Sequence, residues 1–137
     1  AVERAIEGCK ARGAKRALPL PVSVPSHCEL MRPAAERFAE SIAAINWQAP
    51  QIPLVQNVSA AVAADLDTLK RDLLEQLYKP VRWVESVQTL AANGATELVE
   101  CGPGKVLAGL NKRCADGVST ANLNTPEAFA AARAALA

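Results

Sequence analysis

Histidine is almost absent from this chain of 137 residues, which contains one, His27. Aromatic side chains make up 4%, and methionine occurs once. One histidine argues against a mixed Cys/His metal site. The four cysteines, Cys9, Cys28, Cys101 and Cys114, include no pair at the C-x-x-C spacing of zinc ribbons and redox motifs. They are expected to be reduced, mostly buried thiols of a cytosolic protein. Net charge is short of either sign: at +1 it offers no electrostatic case for a nucleic acid or membrane partner. No apolar run approaches the roughly 20 residues of a spanning helix, and no secretory signal is visible at the start. A nucleophile elbow is missing too. Ser23, Ser26, Ser41, Ser59, Ser86 and Ser119 include none set between paired glycines as G-x-S-x-G requires.

What is present is half apolar and of a length that suits one modest domain. Val2, Ala5, Ile6 and Cys9 recur at helical spacing, with Gly13 placed to cap the helix C-terminus. No Met and no Ser, Thr, Asp or Asn cap precedes them, so the chain is expected to be a piece of a longer one. Ala17 to Val24 is apolar but broken by Pro19 and Pro21, which predicts an edge strand or an irregular extended segment. Leu30, Ala34, Phe38, Ile42 and Ile45 predict a helix. Ser26 and Glu29 fit a capping box. Pro33 as first residue of the main helix, after a short turn over 26–31, reconciles that box with proline's missing donor.

Further along, Pro53 to Val58 reads as a short strand. Asp65 or Asp67 caps a helix facing inward with Leu66, Leu69, Leu73 and Leu77. Pro80 stops that helix and can start another, carrying Trp83, Val84, Val87 and Leu90 and ending at Asn93-Gly94. Strands are expected at 97–100 and 118–123, with a helix from Val106 between them and an Ala-rich terminal helix opened by Thr125-Pro126-Glu127. Strands alternating with helices predict an α/β architecture with a largely parallel sheet.

Two places invite chemistry. His27 is the one side chain whose ordinary pKa lies near neutrality, and it falls where an extended segment meets a helix, the junction at which α/β folds collect functional groups. Its bland alternative is a surface or satisfied histidine. Gly102-Pro103-Gly104-Lys105 looks like a phosphate cradle. It fails both the Walker pattern and G-x-G-x-x-G, which favours a plain strand-to-helix turn. Lys10, Arg12, Lys15 and Arg16 form one basic cluster, and Lys112 and Arg113 another. A solvated face is the simpler reading of each, against a contact with phosphates or an acidic partner.

Three stretches resemble one family when taken together and in order. They are Leu20-Pro-Val-Ser-Val-Pro-Ser-His-Cys-Glu-Leu-Met31, Glu75-Gln-Leu-Tyr-Lys-Pro-Val-Arg-Trp83 and Glu100-Cys-Gly-Pro-Gly-Lys-Val-Leu107. The chain is similar, over essentially its whole length, to the C-terminal portion of malonyl-CoA:acyl-carrier-protein transacylases. The resemblance implies that residues 1–20 end a small ferredoxin-like subdomain. Residues 21–137 would then form the C-terminal part of a hydrolase-like, three-layer α/β acyltransferase domain. It implies that His27, after Pro25-Ser26, is the general base toward a serine on the missing N-terminal half. The backbone carbonyl of Gln76 would orient His27, as the third member of a triad does. Val24 and Ser26 would touch the acyl substrate, and Ser26 before the histidine favours malonyl over branched units. Implied partners are malonyl-CoA as substrate, acyl carrier protein and the rest of the same enzyme, in the cytoplasm, with no cofactor. Two alternatives stand beside this: an acyltransferase domain of a polyketide or fatty acid synthase, and a non-catalytic fragment that binds a carrier protein.

Overall fold

Helix ends fix much of the architecture. The computed structural model describes residues 1–135. Helix α1 (Val2–Ala11) and helix α4 (Trp83–Ala92) both finish on a glycine in the left-handed region, Gly13 at φ 91° and Gly94 at φ 92°. At each end the glycine N–H and the next N–H bond back to the last turn: Gly94 to Ala91 at 3.0 Å and Ala95 to Leu90 at 3.1 Å. This is the double C-terminal cap that a residue free of Cβ adopts without strain. Helix α3 (Leu66–Glu75) starts on Asp65, whose carboxylate accepts the Thr68 N–H at 2.7 Å.

The mixed α/β reading holds. Strands β1 (Glu97–Glu100) and β2 (Ser119–Asn122) pair in parallel, with Leu98 opposite Thr120 and Val99 opposite Ala121. Helix α5 (Val106–Asn111) crosses between them and packs on both, and helix α6 (Pro126–Ala135) packs on β2. Helix α2 (Arg32–Ala43) lies against α3 and against a single 3₁₀ turn at Glu29–Met31. Val87 of α4, 2% exposed, is the most deeply buried large side chain. The Trp83 indole donates to Asn111 Oδ1 at 3.1 Å, the Thr89 hydroxyl to Ala60 O at 2.7 Å, and Gln88 Nε2 to Cys114 O at 3.3 Å. Helix α4 thereby ties α5 to the loop before α3.

Several local expectations are corrected. Of the two readings of residues 17–24, the irregular segment holds and the edge strand does not form. Pro19, Pro21 and Pro25 remove donors, and the segment makes local turns instead, Val22 N–H to Leu20 O and Ser26 N–H to Val24 O, both at 2.8 Å. Residues 53–58 reduce to one antiparallel bridge between Val55 and Val62. The capping box does not form, because Glu29 pairs forward with Arg32 rather than back toward Ser26. Helix α2 begins at Arg32, which makes Pro33 its second residue; there too the missing N–H costs nothing. The cysteines are not mostly buried: Cys9 and Cys101 are exposed, Cys28 is half-buried and Cys114 alone is buried.

The fold leaves much apolar surface in water. A folded monomer of 14.4 kDa is expected to expose about 6,800 Å². This chain exposes 10157 Å², with Val2, Leu20, Val22, Leu30 and Ile52 among the open side chains. Such a face calls for a covering partner.

Candidate functional site

Helix α3 ends just before a proline, and that spacing makes the site. The carbonyl of Gln76 would ordinarily accept the N–H four residues on, but position 80 is proline and has no donor. Glu75 O is taken by the Lys79 N–H at 2.8 Å, while Gln76 O and Leu77 O are left open at the negative end of the helix. Both point at residue 27. The His27 N–H donates to Leu77 O at 2.9 Å, and His27 Nδ1 stands 2.7 Å from Gln76 O. A carbonyl can only accept, so Nδ1 carries the hydrogen and a neutral ring leaves Nε2 as a bare acceptor. Nε2 has no hydrogen-bond partner among the described residues, and the side chain is exposed.

The backbone at His27 sits at φ 62°, in the left-handed region. For a residue with a Cβ this costs about 1–2 kcal/mol, although histidine is among the residue types enriched there. The two carbonyls hold it in place. Strain of this kind, kept by surrounding bonds, is a common mark of a working site.

A second clamp joins the same two segments. Arg32 Nε and Nη2 donate to Glu29 at 2.7 and 2.8 Å, and the Arg32 guanidinium lies 4.1 Å from the centroid of the Tyr78 ring. The hydrogen bond from Arg32 holds the Glu29 carboxyl below its usual range, and the same bond pushes Arg32 up. Both side chains are about half open or more, so the pair sets geometry more than stability. On the far side of Gln76, its side-chain Oε1 accepts from Asn57 Nδ2 at 2.8 Å.

The structure thus brings His27 and Gln76 together. Val24 and Ser26 are exposed beside His27 on the turn that leads into it. None of these four residues lines either of two cavities. One, of about 280 Å³, lies between residues 49–54 and the start of α3. The other, of about 420 Å³, lies between α4, β1 and the 101–104 turn. Gly102 to Lys105 is a turn and not an anion cradle. The Glu100 carboxylate already fills the N-terminus of α5, accepting from Ala108 N–H at 2.8 Å and Leu107 N–H at 3.3 Å. The basic residues at 10, 12, 15, 16, 112 and 113 are exposed. Among the described residues no group of His, Cys, Asp and Glu is placed to hold a metal, and no helix is long and apolar enough to cross a membrane.

Sequence reasoning missed Asn57, Leu77 and the Arg32–Tyr78 contact. A partial signal for Leu77 was there, since a helix that stops just before Pro80 leaves its last carbonyls without helical donors. Asn57 has no such mark, because its partner is distant in sequence.

No family model matches the chain. Among curated proteins it is 54% identical to the malonyl CoA-acyl carrier protein transacylase of Escherichia coli (strain K12), over 96% of this chain and 43% of that protein. Among solved structures, the malonyl-CoA:acyl carrier protein transacylase of Xanthomonas oryzae pv. oryzae matches with a TM-score of 0.91 and 48% identity, over 98% of this chain and 43% of that one. A type II polyketide-synthase acyl-carrier protein in complex with its malonyl-transacylase includes a match of TM-score 0.88 and 46% identity, over 96% of this chain and 42% of that one. The chain therefore spans less than half the length of the relatives it matches. The resemblance read from the three stretches is shown: nearly the whole chain is similar to the C-terminal portion of these transacylases.

Proposed function

We propose that this chain is the base-bearing portion of a malonyl-CoA:acyl-carrier-protein transacylase of fatty acid biosynthesis. A serine on the missing N-terminal half would be the nucleophile. A hydroxyl attacks poorly until a neighbour takes its proton. His27 Nε2 accepts the proton as Oγ bonds to the thioester carbon of malonyl-CoA. It then returns the proton to the departing CoA sulfur, leaving malonyl-serine. The second half-reaction runs the same steps in reverse with the phosphopantetheine thiol of the carrier protein. The carbonyl of Gln76 fixes the ring tautomer throughout. Val24 and Ser26, beside the base, would line the acyl end of the pocket.

The observation that carries this reading is the 2.7 Å contact of His27 Nδ1 with Gln76 O, which leaves Nε2 open toward solvent. The excess apolar surface supports a second half that covers it. Residues 1–20 would close a small ferredoxin-like subdomain, and 21–137 would complete a hydrolase-like three-layer domain. Acyl carrier protein, malonyl-CoA and a cytoplasmic setting follow from the same reading, with no cofactor required. The test is malonyl transfer in the full-length enzyme carrying His27→Ala. Loss of about a thousandfold in kcat/KM is expected. A rate near normal would remove His27 from the chemistry.

A further inference from the structure

Gln76 is held by more than its own helix. The loop before α3 is pinned from several sides. Gln56, 6% exposed, donates from Nε2 to Leu69 O at 3.1 Å, and its N–H donates to Ala61 O at 3.0 Å. Ala60, also 6% exposed and at φ 54°, donates to Gln56 O and accepts from the Thr89 hydroxyl at 2.7 Å. Arg82 donates twice to the same loop, N–H to Asn57 O at 2.9 Å and Nη1 to Ser59 O at 3.0 Å. Asn57 therefore stands on a platform bonded to α3, to α4 and to residue 82. From it, Nδ2 reaches across to Gln76 Oε1 at 2.8 Å.

We infer that Asn57 is a positioning residue for His27: it fastens the Gln76 side chain, so that the Gln76 carbonyl stays aimed at Nδ1. This rests on the proposed role of His27. Gln76 closes α3, and its carbonyl plane is free to swing because Pro80 gives it no helical donor. Anchoring the side chain limits that swing. Without Asn57 the half-buried Gln76 amide loses its partner, and the end of α3 that carries the Gln76 carbonyl is freer to turn. A carbonyl turned away from Nδ1 no longer favours the tautomer that leaves Nε2 bare. Groups that orient a functional imidazole from behind commonly matter as much as this.

The experiment uses the full-length enzyme. Asn57→Ala is expected to lower kcat about tenfold with KM for malonyl-CoA changed less than about twofold. In ¹⁵N spectra of the His27 ring, identified by its loss in His27→Ala, a fraction protonated on Nε2 is expected to appear. Gln76→Ala, which keeps the backbone carbonyl, should show the same two changes, and the double variant should be no slower than the worse single. Asn57→Asp should recover most of the rate, because the Gln76 amide can turn over and donate to the new carboxylate. An unmoved tautomer with an unchanged kcat in Asn57→Ala overturns the inference, as does full additivity in the double variant. If His27→Ala is itself without effect, the fault lies in the proposed function; if His27→Ala is inactive and Asn57→Ala is normal, it lies in the inference alone.

Discussion

Two helix ends in this chain face the same electrostatic problem and resolve it in opposite ways. The C-terminus of α3 presents open carbonyls and the N-terminus of α5 presents open N–H groups. At α5 the chain supplies its own anion: Glu100 bonds to Leu107 and Ala108, and the end is sealed. At α3 the chain supplies a titratable donor on a strained backbone, His27 at φ 62°, whose other ring nitrogen stays open. A sealed end gives stability. An end that holds one nitrogen of an imidazole and leaves the other free has the geometry the proposed base requires.

The contrast is broken first at His27. In the full-length enzyme His27→Ala is expected to abolish most malonyl transfer, by about a thousandfold, while the melting temperature barely moves. Equal damage to stability and rate would make His27 a structural residue. Pro80→Ala is the next sharpest intervention. It restores an N–H at position 80 that can draw Gln76 O back into the helix, and kcat is expected to fall several-fold with the fold intact. An unchanged kcat would mean that the missing donor does not set the carbonyl free.

Glu100→Ala should do the reverse of His27→Ala. Opening the α5 end is expected to cost about 1 kcal/mol, a melting point lower by a few degrees, with kcat within about twofold of normal. Loss of activity without loss of stability would place Glu100 in the site.

The smallest effect is at Asp65. The N–H of Thr68 holds its carboxyl below the usual range. The folded state then favours the ionised form, so the cap stabilises above the ordinary carboxylate pKa of about 4 and fades as pH falls through the lowered value. Melting curves of Asp65→Ala and the parent should differ slightly at neutral pH and converge in acid. A gap that persists at acid pH would mean the cap is not acting through its charge.

Helix positions were legible because their signals are local. Apolar spacing, the Asp65 cap, and the Gly13 and Gly94 ends are each read within one turn of chain. The strand at 53–58 was not, because strand formation depends on a distant partner and that segment finds one bridge, whereas at 17–24 Pro19 and Pro21 already made an irregular segment one of the two readings. The capping box failed by competition, since Glu29 has a better partner in Arg32. At the site, His27 and Gln76 were named from the three stretches and the family they resemble. Position and chemistry alone left His27 between a functional group and a surface or satisfied histidine. Asn57 lies 19 positions from Gln76, and no spacing rule links a loop amide to a helix end.

The central claim is that the end of α3 fixes the ring of His27 with the hydrogen on Nδ1 and Nε2 free. The direct measurement is the ¹⁵N spectrum of the His27 ring in the full-length enzyme at a pH where the ring is neutral. The account predicts a protonated Nδ1 and a bare Nε2. A ring protonated on Nε2 would contradict it.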